Sequence, residues 1–294
     1  MQKILVFCLI LGLLFSIGAA LPGTKVIIYG NDLTTVQKTR LVKDFSLPET
    51  VKPETIKTLN LTNEEEYQLL KGLIPEDKIQ NQANNAVYLE KLASGTGLKV
   101  ETKNMSLVTP HMLANALATS GVADTQLRAT APNLMPGTEV LVGIYKAYED
   151  VTSEKLSAVA KRVAIQELAI TSDLGEEIGK EKAAVLVERA KERTLKEQPI
   201  SATETRAIIN QALKEQNLTI TEAQTEQLAN ILLGMKELPI KSEQLQTQLK
   251  NFAPDKSEET TSKPGSTLVK FFAYLKSWFT QLFSYVGKIF SWRA

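Results

Sequence analysis

Cysteine and histidine are almost missing from this chain: among 294 residues there is one of each, Cys8 and His111. Cys8 lies in an N-terminal apolar run that reads as a removable signal, so the mature chain is expected to be free of cysteine. That excludes a disulfide, a thiol nucleophile and a thiolate metal site. A secreted chain without disulfides must draw its stability from a hydrophobic core. A lone histidine has no partners for a histidine metal centre, and no group of carboxylates has calcium-loop spacing. Ser-x-x-Lys, Gly-x-Ser-x-Gly and phosphate-cradling glycine loops are also missing. Gly95-Thr96-Gly97 lacks the third glycine and preceding strand that would make it more than a turn. The sequence therefore implies no metal, no cofactor and no catalytic residues. An excess of one charge is missing too, since the net charge is +1. Lys3, Lys263, Lys270, Lys276, Lys288 and Arg293 lie at the two ends, which leaves −5 for the rest. An acidic body argues against nucleic acid as a partner.

What is present is concentrated at the termini. Lys3, the apolar run Ile4 to Ile17 and the small residues Gly18, Ala19 and Ala20 have the layout of a secretory signal over residues 1–20. The alternative is an uncleaved N-terminal anchor. At the other end, Ser266 to Ala294 holds nine of the chain's eighteen aromatic residues, four basic residues and no acid. At about 100° per residue, Leu268, Phe271, Phe272, Leu275, Trp278, Phe279, Leu282, Phe283, Val286, Ile289 and Phe290 share one face. Tyr274, Tyr285 and Trp292 run along its edge, Lys270, Lys276 and Lys288 flank it, and Ser277, Thr280, Gln281, Ser284 and Ser291 lie opposite. Such a half-cylinder suits a helix lying in a bilayer interface, with its rings in the acyl boundary and its ammonium groups at anionic headgroups. Lys276 and Lys288 interrupt the apolar run that a spanning helix would need. Residues 253–266, which include two prolines, read as a linker to this 267–294 helix. The competing readings are a last core helix or an oligomer contact.

Between the termini the pattern predicts an α+β fold, a small sheet with flanking helices over 21–137 and a mainly helical region packed on it over 138–252. Lys25 to Tyr29, Lys99 to Thr102 and Gln126 to Thr130 read as strands. Thr34 with Gln37 and Thr62 with Glu65 form capping boxes, and Thr109-Pro110 starts a third helix. Asn85 to Leu92 reads as a short helix and Pro48 to Lys57 as a loop. Further helix starts are expected at Thr138, Thr152, Ser172, Ser201 and Thr221. Glu64, Glu65 and Glu66, in a helix first turn, and Glu176 and Glu177 read as acids on solvated faces rather than a hydrolytic pair. His111 is expected to play an ordinary part in its helix.

Several blocks in order resemble one family: TNEEEY at Thr62 to Tyr67, AVYLEKL at Ala86 to Leu92, NALATSGV at Asn115 to Val122, GIYKAYED at Gly143 to Asp150 and LGEEIG at Leu174 to Gly179. NDLT at Asn31 to Thr34 fits its opening motif less specifically. They are similar to the YpuA-like proteins, a secreted family of unknown function in Gram-positive, often spore-forming, bacteria. The resemblance covers about residues 25–200. It departs at Ile79 to Asn85, where the family tends to show Gly, Arg and Ser, and again at Met135-Pro136. It implies an extracytoplasmic α+β protein and carries over no site residue. Three function classes follow: a non-catalytic surface module binding an envelope ligand or protein, an envelope hydrolase with carboxylate chemistry, and a membrane-remodelling protein. The expected location is the outer face of the cytoplasmic membrane.

Overall fold

A computed structural model describes residues 21–252. The fold is α+β. Five strands, β1 (Lys25–Gly30), β2 (Lys57–Leu61), β3 (Ala86–Lys91), β4 (Lys99–Met105) and β5 (Thr125–Met135), form one sheet in the order β2-β1-β3-β5-β4. The outer pairs β1/β2 and β4/β5 are parallel, and β3 runs antiparallel to β1 and β5. Helix α1 (Thr35–Asp44) connects β1 to the segment before β2, and α3 (Pro110–Ser120) connects β4 to β5.

Alternation along the strands sorts the two faces. Val26, Ile28, Val87, Leu89, Leu127 and Ala129 point into the main core beneath the helices. Ile27, Tyr29, Ala86 and Tyr88 point the other way, under Leu41 of α1 and Phe45, the residue that caps its end. The Phe45 and Tyr88 rings sit 5.9 Å apart. Beyond α1 this second face is polar: Arg128 pairs with Glu101 at 3.3 Å, and the Tyr88 hydroxyl donates to Glu90.

This two-sided burial accounts for the strand over Asn85 to Leu92, where the pattern suggested a helix. Both parities of β3 are apolar, and periodicity does not separate a strand buried on both faces from a short helix. The edge strand β2 also begins at Lys57, the last residue of the expected loop, and its KTLNL sequence is too exposed to alternate clearly. The edge strand β4 carries Lys99, Glu101 and Lys103, charges that discourage pairing with another chain.

Six helices follow: α4 (Val140–Thr152), α5 (Ala158–Ile178), α6 (Lys180–Glu197), α7 (Ala202–Glu215), α8 (Glu222–Met235) and α9 (Ser242–Leu249), with α2 (Asn63–Leu70) earlier in the chain. The capping boxes at Thr34 and Thr62 are in place, and Thr109, Ser201 and Thr221 cap their helices. Two expected starts are not starts. Thr152 ends α4, its hydroxyl donating to Tyr148 O at 2.7 Å, and Ser172 lies buried inside α5. Ser157 caps α5 instead, and α4 begins two residues after Thr138. Helix α4 packs on β1 and β3, while α3 packs against α5, α6 and α9, so the sheet and the helical layer share one core. Among the described residues no helix is long and apolar enough to cross a membrane.

The end of this body is fastened to the sheet side. Gln248 O accepts from Leu98 N at 2.9 Å, Gln248 Oε1 accepts from Asp124 N at 2.8 Å, and Asn251 Nδ2 donates to Leu98 O at 2.9 Å. Gly97 makes this approach possible. Its φ is +80°, and a Cβ there would lie 2.6 Å from Thr247 O.

Candidate functional site

The residues read as membrane-binding, from Leu268 to Trp292 with Lys270, Lys276 and Lys288, lie outside the described residues, as do the signal and the linker. Within residues 21–252 the chemistry gathers in three buried polar clusters.

The first cluster sits at the C-terminal ends of β1 and β2. The capping box turns Glu65 back to the Thr62 amide, with Glu65 Oε2 accepting from Thr62 N at 2.8 Å. Glu66, one position on, turns into the body and is completely buried. The solvated-face reading holds for Glu64 and Glu65 but not for Glu66. Asn85 Nδ2 donates to Glu66 Oε1 at 2.6 Å. The segment before Asn85 lies directly over β1, where a Cβ at Gly30 would sit 2.0 Å from Ala83 O. Asp32 locks this crossing: its amide donates to Ala83 O, and its carboxylate accepts from Ala83 N at 2.7 Å. Glu139, the residue before α4, is the other fully buried acid here.

Burial dominates the electrostatics. It pushes Glu66 up to about 8; the charges of Glu139 and Asp32 add to the shift, and the amides of Asn85 and Asn63 oppose it. Glu139 is raised by burial as well, partly offset by the backbone amides of Glu139, Gly137 and Gln80. Even so, neither Glu139 carboxylate oxygen closes a hydrogen bond, and Glu66 Oε2, Asn85 Oδ1 and Asn84 Oδ1 are also unpaired. Buried acceptors without donors are costly.

The second cluster is self-sufficient. Lys191 of α6 and Glu167 of α5 are 1% and 0% exposed. Lys191 Nζ donates to Glu167 Oε1 at 2.8 Å, Asn115 O at 2.8 Å and Thr119 Oγ1 at 3.1 Å. Thr119 Oγ1 donates to Glu167 Oε2 at 2.5 Å. All three ammonium protons and both carboxylate oxygens are engaged, so this pair ties three helices together.

The third cluster surrounds His111, which is buried in the first turn of α3, where the sequence places it. Its Nδ1 lies 3.2 Å from Glu181 and its Nε2 2.8 Å from Glu188, and its ring stacks on Phe252 with centroids 5.5 Å apart. Burial pulls its pKa down, but the two carboxylates outweigh this and raise it to about 9. The imidazolium is therefore held between two acids at the point where the described body ends. At the other end of α3 a surface cleft of about 480 Å³ opens between the Gly95 and Gly121 turns and α9, lined by Asp124, Gln244 and Gln248 among others.

Sequence reasoning missed Glu66, Glu139 and the helical ion pair. A weak signal existed for Glu66, which lies four residues before buried Leu70 and so on the inward stripe of α2. Lys191 and Glu167 sit on inward stripes in the same way, but no rule pairs residues of different helices.

An α+β body with an internal carboxylate cluster, and no group of three His, Cys, Asp or Glu side chains placed to hold a metal among its described residues, defines a class without an assigned chemistry. The chain belongs to the family described as "Protein of unknown function (DUF1002)", whose model matches residues 29–252. It is 33% identical over 249 residues to the "Uncharacterized protein YpuA" of Bacillus subtilis (strain 168), covering 84% of this chain and 82% of that one. No solved structure matches.

Proposed function

We propose that this protein is a secreted, envelope-associated binding or structural module without catalytic activity, held at the outer face of the cytoplasmic membrane by residues 267–294. One sequence pattern supports the reading: at helical spacing the apolar and aromatic residues of 267–294 would share one face with Lys270, Lys276 and Lys288 at its margins, and no acid occurs from Ser266 to Ala294. Burying half of one Phe or Trp side chain contributes roughly 1 kcal/mol at about 25 cal/mol per Å². Each lysine near an anionic surface adds up to about 1 kcal/mol. Several rings acting together exceed the cost of ordering the helix. The stack of Phe252 on His111 gives the chain a fixed point of departure from the body, so residues 253–266 can serve as a spacer between body and bilayer.

A hydrolase reading would rest on Glu66 and Glu139. Hydrolysis needs both carboxylates to reach substrate and water, and these two have no exposed surface. The binding-module reading is therefore preferred.

The test is co-sedimentation of the chain from Leu21 to Ala294 with vesicles containing anionic lipid, beside a chain ending at Phe252. The longer chain binds with a blue shift of Trp278 and Trp292 fluorescence, and the shorter one stays in the supernatant. Changing Phe272, Trp278 and Phe279 to Ser abolishes binding and leaves the body folded. If wild type ignores vesicles and the triple change unfolds the body, the tail is a core helix. N-terminal sequencing of the exported protein is expected to begin at or near Leu21, and leakage of vesicle contents would favour membrane remodelling.

A further inference from the structure

The Glu66 cluster is rich in buried acceptor oxygens that its donors do not fully satisfy. Glu66 and Glu139 are both fully buried and Asn85 is 1% exposed. Asn85 Nδ2 donates to Glu66 Oε1 at 2.6 Å, the Asn63 amide also favours the Glu66 carboxylate, and the backbone amides of Glu139, Gly137 and Gln80 favour that of Glu139. Four oxygens of these three side chains, Glu66 Oε2, Asn85 Oδ1 and both Glu139 oxygens, still close no hydrogen bond of good geometry. The charges acting on Glu66, from Glu139 and Asp32, are negative like its own. Buried charges are normally paired or bound to a metal.

We propose that Glu66, Glu139 and the side-chain carbonyl of Asn85 form a binding site for a hard divalent cation of the calcium type. The donor set is oxygen only. It combines two carboxylates with a neutral amide oxygen, the mixture that calcium accepts in flexible coordination of six to eight oxygens. Two carboxylate charges match one divalent ion. Asn85 is held by its own amide contact to Glu66, so its carbonyl oxygen lies on the same small planar group as that contact. The backbone around the site is fixed from two sides: Gly30 admits the Ala83–Asn85 segment over β1, and Asp32 ties that segment down. The ends of parallel strands are also where open sheets with flanking helices commonly place ligands. Loop-spacing rules do not detect this site, because its ligands come from α2, the approach to β3 and the start of α4.

The competing account is that Glu66 and Glu139 simply hold protons. Calcium titration of the chain from Leu21 to Ala294, stripped with EDTA and returned to neutral buffer, separates the two. Calorimetry is expected to show one calcium bound per chain. The melting temperature rises by several degrees with calcium and less with magnesium, which demands a smaller octahedral site. Glu66→Gln and Glu139→Gln keep the shape and the fold but weaken calcium binding tenfold or more, while Glu176→Gln on the exposed surface of α5 changes nothing. A wild-type chain that gives no heat and no shift in melting temperature overturns the proposal in favour of protons. A response retained by both glutamine variants overturns it by placing the ion elsewhere. Should a variant fail to fold, the wild-type titration still decides whether an ion binds and the other variant where.

Discussion

Replacing Lys191 by methionine removes an ammonium group that donates to Glu167, Thr119 and Asn115. Methionine fills a similar volume, so the packing of α6 on α3 and α5 is largely kept. What changes is the fate of Glu167: its carboxylate, 0% exposed, loses its counter-ion and keeps only the Thr119 hydroxyl. Breaking a buried pair from one side costs about 3–5 kcal/mol. For a body of this size that lowers the melting temperature by roughly 6–20 °C. Replacing both members, Lys191→Met with Glu167→Leu, leaves no charge behind. The Thr119 hydroxyl can then still donate to Asn115 O, 3.2 Å away, so the double variant recovers most of the loss. Urea unfolding followed by far-ultraviolet circular dichroism measures Lys191→Met, Glu167→Leu and the double variant against wild type in a double-mutant cycle. A single variant that costs under about 1 kcal/mol, or a double variant no more stable than the single, would refute the idea that stranded charge sets the loss.

Two further perturbations test other parts of the body. His111 has a folded pKa of about 9 against an ordinary value near 6.5. Its contribution is therefore fully present below about pH 6.5 and is lost as pH rises through 9; with Glu181 largely exposed and screened, it amounts to about 1–3 kcal/mol. The fall in melting temperature between pH 6.5 and 9.5 should flatten in His111→Gln, and an unchanged slope would remove the imidazolium from the account. Gly97→Ala forces a Cβ against Thr247 O at a positive φ and should cost about 1–3 kcal/mol. Hydrogen exchange should accelerate first in α9 and residues 250–252, and uniform acceleration across the sheet would contradict that local origin.

Local signals told most where structure is local. The caps at Thr34, Thr62, Thr109, Ser201 and Thr221 were readable because each is a hydroxyl answered within three residues. β3 was misread because a strand buried on both faces loses its alternation, and β2 because an edge strand with little burial has almost none to show. The candidate site was illegible for another reason. Glu66 looks like any first-turn acid, and its meaning depends on Asn85 and Glu139, which only the fold brings near.

The fastening of α9 bears on how the protein is made. Leu98 and Asn251 are separated by 153 residues, and Asp124 and Gln248 by 124. A chain emerging from its N-terminus can build β1, β2 and β3 early, but the turn at Gly97 has no partner until α9 appears. Contacts of such long range form slowly and leave incomplete chains exposed to misassembly. The nascent polypeptide thus stays open at the Gly97 corner until almost the whole body is synthesised, and truncation anywhere before Ser242 yields a product whose sheet lacks its latch.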